Sequence, residues 1–194
     1  KEGVNLLSIT YNGLGYINYY TDDYDYSQPS ALPKLEINIP SGDVNGIFER
    51  GMSATQWKSI LSNAPFHHID MLGRLAQMVF PTDALKQYCA SDGGDLIQIY
   101  DSIVAIQVEM LGLAKYNRMP QGHFLFESST TESGWYASGC TAHFGGGADQ
   151  VCSPTAMHNN LWGVAHEMGH VNTNQSMKIV STTEVINNIF SVWI

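Results

Sequence analysis

A long stretch of apolar residues at helical spacing constrains the fold of this 194-residue chain more than any other feature. Between residues 94 and 113 the apolar side chains recur at alternating intervals of three and four residues, which places them on one face of a helix of roughly five turns. They are Leu96, Ile99, Ile103, Ile106, Met110 and Leu113. Asp92 or Asp95 is suited to cap the start of this helix. We predict that it is structural scaffold, with no cofactor role.

Other segments have the character of β-strands. Residues 4–20 and 33–42 alternate between apolar and polar positions, and the first of these segments is broken by a turn signal at Asn12-Gly13. A short strand is predicted near residues 47–48. Three more strand-like pieces lie between residues 123 and 144, separated by Gly and Ser.

Four further segments are predicted to be helical. The first spans residues 54–63 with Ser53 as its N-cap, and the others lie near 82–90, over 154–172 and over 181–194. The order is therefore β-rich, then helical, then short strands, then helices. This order favours an α+β fold over alternating βαβ units.

Composition excludes some classes of function. The chain has 9 basic and 18 acidic residues, a net charge of -9, and no cluster of Lys or Arg, which argues against a nucleic-acid partner. Apolar runs are too short for a transmembrane helix. No signal peptide is visible at Lys1. Because signal peptides are removed on secretion, this absence does not place the protein inside the cell. Charged residues make up only 14% of the chain, a composition common in secreted and cell-surface proteins.

Three cysteines are present. Cys140 and Cys152 lie on either side of a Gly-rich loop, so either a disulfide between them or three free thiols fits the sequence equally well. Cys89 has no neighbouring cysteine. Because none of the three is in a CxxC pair, a cysteine-based metal site is not expected.

The chemistry is concentrated between Leu161 and Asn172, where His166, Glu167 and His170 form an HExxH motif. Residues four apart lie on one face of a helix, so both imidazoles can reach one Zn²⁺, while Glu167 lies near the metal and can act as a base. The alternative is a solvated helix with two surface histidines. The helix also has an apolar face able to dock on the core, formed by Leu161, Val164, Ala165 and Met168. At Gly163 and Gly169 we expect another backbone or a substrate to approach closely.

A third ligand is needed if the fourth zinc position is to stay open for water. Glu184, 14 residues beyond His170, is the candidate. It lies in the first turn of a helix that Ser181 or Thr182 can cap. The alternative is an acidic residue placed there only by the helix dipole. An apolar face of this helix is predicted from Val185, Ile189 and Val192.

The segments WGVAHEMGHVNTNQ and TTEVINNIFSVW resemble the enhancin-like zinc metallopeptidases, which include bacterial mucin-degrading enzymes. The resemblance implies a gluzincin-type site with zinc on His166, His170 and Glu184 and with Glu167 as general base. Asn187 and Asn188 match a pair of asparagines in the family's pattern.

The resemblance also has implications for the whole chain. It implies that residues 51–194 form a zincin-type catalytic core that contains the HExxH helix, and the strand-like patterns predict a β-rich part over residues 1–50 before it. It further implies secretion or display on a bacterial surface, and glycoprotein substrates of the O-glycosylated, mucin type. Family domains continue past this Glu, so the core is expected to be truncated at its C-terminus.

Two other functions stay open at this point. One is a non-catalytic glycan- or mucin-binding module that retains a metal site, although an intact Glu167 favours catalysis. The other is a zinc peptidase acting on unglycosylated peptides. Trp135, Tyr136 and Trp162 are candidate substrate contacts, and the first two would fit equally well in a core.

The remaining signals are weaker. The pair His67-His68 is predicted in a loop or at a helix end, and His158 at the edge of the cleft. Residues 19–26 are acidic and aromatic, and a solvated loop is favoured there over a calcium or sugar site. The glycines at 145–147 are predicted to form a flexible loop bordering the site.

Overall fold

The structure is a computed structural model in which two compact units are distinguished, Lys1–Val44 and Asn45–Ile194. The described residues are 3, 14–16, 36–40, 43, 45–120, 122–173, 177, 179 and 181–194.

Few residues of the first unit are described. Residues 14–16 and 36–40 have no regular secondary structure, so the strands predicted over 4–20 and 33–42 are wrong at these positions. The rest of both segments, and the acidic aromatic stretch at 19–26, lies outside the described residues.

The second unit contains a mixed sheet with the strand order β1-β2-β3-β4-β6-β5. The strands are β1 (Ile47–Glu49), β2 (His68–Leu72), β3 (Ala76–Pro81), β4 (Phe124–Ser129), β5 (Gly134–Ser138) and β6 (Thr141–Gly145). The pairs β1–β2, β3–β4 and β4–β6 are parallel, and β2–β3 and β5–β6 are antiparallel. The strand predicted near 47–48 is confirmed as β1. The catalytic core was predicted to begin at residue 51. Strand β1 lies before that residue but pairs with β2, and the compact unit begins at Asn45.

Strands β2 and β3 were not predicted. Their core-facing residues alternate, with Ile69 and Met71 on β2 and Met78 and Phe80 on β3 fully buried. This is the period of two that a strand with one buried face requires. The prediction that the His67-His68 pair lies in a loop or at a helix end is wrong for His68, which begins β2.

Along the chain, the helices of this unit lie between the strands and after them. They are α1 (Ala54–Asn63), α2 (Thr82–Tyr88), α3 (Gly93–Met110), α4 (Ala148–Val151), α5 (Pro154–Asn159), α6 (Trp162–Asn172), α7 (Thr183–Ile186) and α8 (Asn188–Trp193). Ser53 caps α1 with a reciprocal capping box, and the Asp92 carboxylate caps α3 by accepting from the Gly94 amide at 2.8 Å. The helices predicted over 154–172 and 181–194 are each divided into two.

Helix α3 packs on the sheet and forms the centre of the core. Tyr100, fully buried, packs edge-on against Phe80 and Phe126, with ring centroids 5.5 and 4.8 Å apart. Its hydroxyl donates to the Val151 carbonyl at 3.0 Å, so the polar tip of this large side chain is satisfied. Helix α6 contacts β6 and β5, the last two strands in the order of the sheet. The fold therefore brings α6 alongside the edge strand β5.

The cysteines are all free thiols. Cys140 is exposed between β5 and β6, whereas Cys152 and Cys89 are buried, so the disulfide left open by the sequence is not formed. Burial raises the pKa of the Cys89 thiol to about 12, and the nearby carboxylates of Asp92 and Asp95 add to the shift. Within the described part of the chain, no helix is long and apolar enough to cross a membrane.

Candidate metal centre

Helix α6 presents the two motif histidines on one face because its opposite face is anchored in the core. Val164, Ala165 and Met168 are buried, which confirms the predicted apolar face. His166 and His170 lie one turn apart with ring centroids separated by 4.9 Å and ring planes nearly perpendicular, at 87°. Both imidazoles are mostly shielded from solvent, with side-chain exposures of 19% and 16%.

Glu184 lies beside both imidazoles. Its Oε2 atom is 3.1 Å from Nε2 of His166 and 3.1 Å from Nε2 of His170. The three potential ligand atoms all lie within 4.8 Å of one another. The Glu184 side chain is 75% exposed, so the cluster opens towards solvent. Thr182 stands at the N-cap of α7, but its hydroxyl donates to the Ile179 carbonyl and does not cap the helix.

Glu167 is the buried acidic group of the site, with 7% of its surface exposed. Burial raises the pKa of its carboxyl group, and the charge of Glu184 raises it further, while His166 and His170 act in the opposite direction. The net effect is an increase, which makes Glu167 a stronger proton acceptor than an ordinary carboxylate.

A cleft of about 550 Å³ runs over the cluster. Its lining residues are Trp135, Tyr136, Ala137, Gly139, Glu167, His170, Val171, Thr173, Thr183 and Glu184. Strand β5 therefore forms one wall and the ends of α6 and α7 the other.

The three candidate substrate contacts differ in position. Trp135 lines the cleft and also packs edge-on against Phe144 at 5.0 Å, so it belongs to both the wall and the core. Tyr136 lines the cleft too, is 42% exposed and stacks on the His143 ring at 4.6 Å. Trp162 is exposed and is not among the residues that line this cleft.

Two asparagines, known from the sequence only as a match to the family's pattern, complete the site. The Oδ1 atom of Asn188 lies 2.6 Å from Nδ1 of His166, and its Nδ2 donates to the Glu184 carbonyl at 2.8 Å. The Nδ2 of Asn187, which is fully buried, donates to the His166 carbonyl at 3.2 Å. The signal in the sequence was the four-residue spacing from Glu184 to Asn188, at which an asparagine side chain can bond to the earlier carbonyl.

A buried amide links the motif helix to the scaffold helix. Gln107 on α3 is fully buried and donates to the Ala165 carbonyl at 2.9 Å, while its own oxygen accepts from Asn172 at 2.6 Å. The carbonyl of Ala165 precedes the first histidine by one residue. The scaffold helix thus contributes to the site by fixing α6.

Both glycines of α6 lie against close neighbours. A Cβ atom at Gly169 would lie 2.7 Å from the backbone oxygen of Asn187, which confirms the expected approach of another backbone. At Gly163 the neighbour is the indole of Trp135, 2.4 Å from such a Cβ. The same indole lies against Gly147, so the end of the glycine segment packs on the wall of the cleft.

Two sequence predictions near the site are wrong. The residues Val185, Ile189 and Val192 do not form a buried face, since they are 64%, 51% and 74% exposed. Phe190 is the buried apolar residue of α8. His158 does not line the cleft but lies 3.2 Å from the Asp95 carboxylate, on the side of α3.

Residues 47–194 match the family described as peptidase M60, enhancin and enhancin-like, so the chain belongs to this family of peptidases. Its fold resembles that of a metallopeptidase from Bacteroides thetaiotaomicron, with a TM-score of 0.71 and 23% identity over 81% of this chain and 27% of that one. A metallopeptidase in complex with Tn antigen gives a TM-score of 0.72 at 23% identity, over 80% and 30% of the respective chains.

ZmpB metallopeptidase from Clostridium perfringens gives a TM-score of 0.60 at 17% identity, covering 75% of this chain and 32% of that chain. These similarities confirm the α+β fold. The chain spans less than a third of the length of each of the three structures. No curated protein matches the chain.

Proposed function

We propose that this chain carries the catalytic core of a zinc endopeptidase that cuts extracellular glycoproteins of the mucin type. One observation carries the proposal: His166, His170 and Glu184 bring three donor atoms together beside the buried carboxyl of Glu167. Two imidazole nitrogens and one carboxylate oxygen, with an open side towards solvent, are the donor set of catalytic zinc sites. Calcium and magnesium would instead call for oxygen ligands alone.

Each residue then has a distinct role. Zinc, when bound, supplies a Lewis acid that polarises a peptide carbonyl and makes water nucleophilic at neutral pH. His166, His170 and Glu184 would hold it. Glu167 accepts the proton of the attacking water and returns it to the leaving amine, a role for which its position beside the three ligands is suited.

The substrate class has separate support. One of the similar structures is a complex with Tn antigen. In this chain the wall of the cleft carries Trp135 and Tyr136, and aromatic rings are common partners for the apolar faces of sugars. A composition low in charge agrees with secretion or display on a bacterial surface.

The test is a pair of identical Ser/Thr-containing peptides, one carrying O-linked N-acetylgalactosamine and the other bare. Zinc-loaded protein is expected to cut the glycosylated peptide and leave the bare one intact. Glu167→Gln is expected to retain zinc and to lose about 10²–10⁴-fold in rate. Glu109→Gln, on an exposed position of α3, is the matched control and should cut like the wild type.

Other results would favour the alternatives. Equal cleavage of both peptides would indicate a zinc peptidase for plain peptides. Binding of the glycopeptide without cleavage, with zinc present, would indicate a non-catalytic module and would contradict the proposal.

A further inference from the structure

We propose that Asn188 is the positioning residue of this centre, a role that rests on the proposed zinc site. A single side-chain amide contacts two of the three candidate ligands: the imidazole of His166 through Oδ1 and the backbone of Glu184 through Nδ2. His166 and Glu184 belong to different helices, so the amide couples the motif helix to the turn that carries the carboxylate.

The two hydrogen bonds fix which way the amide points. The Glu184 carbonyl can only accept, so the Asn188 group facing it at 2.8 Å must be the NH₂ donor. Its oxygen therefore faces His166 at 2.6 Å. An amide oxygen can only accept as well, so Nδ1 of His166 carries the proton. In the neutral ring the lone pair is then on Nε2, the atom that faces the Glu184 carboxylate at 3.1 Å and that a bound zinc ion would use.

An asparagine performs both tasks, because its amide carries a donor and an acceptor. A carboxylate in its place would accept from His166 but has no proton to donate to the Glu184 carbonyl. A hydrophobic residue would do neither. Outer partners of this kind fix the tautomer and ring orientation of a ligating histidine, and their loss costs about 10–100-fold in metal affinity.

The test measures the zinc dissociation constant by competition with a chelator. Asn188→Ala is expected to bind zinc about 10–100-fold more weakly than the wild type. Asn188→Asp, which keeps an acceptor for the Nδ1 proton, is expected to recover most of this loss.

The chain offers a closely matched control. On α1, the amide of Asn63 donates to the carbonyl of Ser59, four residues earlier, at 2.7 Å. This is the same bond that Asn188 makes to Glu184, at an exposed helix end without a histidine. Asn63→Ala is therefore expected to leave zinc affinity unchanged.

Cobalt substitution adds a readout that a purely structural role would not affect. The visible absorption of bound Co²⁺ reports ligand geometry, and we expect its bands to shift in Asn188→Ala and not in Asn63→Ala. Wild-type affinity and an unshifted spectrum in Asn188→Ala would overturn the proposal. Absence of zinc from the wild type would instead contradict the proposed function.

A measurement on the wild type keeps the proposal testable if Asn188→Ala does not fold. In the zinc-loaded protein, the Nδ1 proton of His166 should give a slowly exchanging, downfield signal in ¹⁵N-edited NMR spectra. Finding the proton on Nε2, or in fast exchange with water, would overturn the proposal.

Discussion

In the proposed mechanism, the burial of Glu167 favours catalysis but opposes folding. Its carboxyl is buried, and removing a charge from water is unfavourable unless the charge is well compensated. Burial accordingly raises its pKa, which makes it a better base but disfavours its ionised form in the folded protein. We therefore expect the residue that is most important for the chemistry to destabilise the metal-free chain.

The sign of this effect can be tested. A carboxyl whose pKa is raised by folding binds more protons in the folded state, so stability falls as pH rises from the unfolded pKa, about 4.3, through the folded value. Metal-free Glu167→Gln should consequently be more stable than the wild type at pH 7, and the difference should shrink towards pH 4. Urea denaturation at several pH values measures this.

The exposed Glu109→Gln is again the control and should change the free energy of unfolding by less than about 0.5 kcal/mol. A Glu167→Gln variant that is less stable than the wild type at every pH would contradict the account of a carboxylate destabilised by burial.

At the scale of single residues, the sequence predicts the two motif histidines well. The four-residue spacing of His166 and His170 puts both imidazoles on one face because the pitch of a helix is fixed. Glu184 could be proposed as a candidate, and the family resemblance strengthened it, but its approach to the histidines depends on how α7 folds back. The tautomer of His166 was not predictable, because it depends on Asn188 across that same long-range contact.

Between elements, the contact of α6 with α8 positions the site. Gly169 lies inside the motif and faces the backbone oxygen of Asn187, with no room for a methyl group. A backbone atom cannot turn away as the end of a flexible side chain can. The missing side chain thus lets the turn that carries Glu184 and Asn188 lie close to the two histidines.

Gly169→Ala is expected to destabilise the metal-free protein by about 1–3 kcal/mol, the usual result of overpacking. Helix propensity alone would predict the opposite sign, a gain of up to about 1 kcal/mol, so the two explanations are separable. The measurement is the free energy of unfolding in urea.

Gly122→Ala is the control, because a Cβ atom there would meet nothing within 4 Å. It should change stability by less than about 0.5 kcal/mol. A stabilised Gly169→Ala variant would show that α6 and α8 do not pack as closely as described.

Helix α8 also illustrates what periodicity leaves undecided. The spacing of Val185, Ile189 and Val192 correctly indicates helical structure in this region, yet these residues are exposed. The buried positions are Asn187, Phe190 and Ser191, two of them polar. Periodicity detects an apolar face, but it does not show which face meets the core when a large aromatic residue lies on the other side.

At the scale of the molecule, the arrangement depends on contacts between distant parts of the chain. The amide of Gln107 reaches the motif helix across 58 residues. The sheet places β5 outside β6, against the order of the chain, and so makes β5 the edge strand beside the cleft. Alternation and capping predicted many elements, among them α1, α3 and the strands β4 to β6, but not β2 and β3. They carry no information on strand order, which is set by pairing between segments far apart in sequence.

The most direct test of the central claim is the metal content of the purified chain after addition of zinc and removal of excess. We predict one zinc per chain in the wild type and in Glu167→Gln, and none in His170→Ala or Glu184→Ala, with circular dichroism to establish that each variant is folded. If the folded wild type holds no zinc, or if His170→Ala and Glu184→Ala hold as much as the wild type, the metal centre described here does not exist.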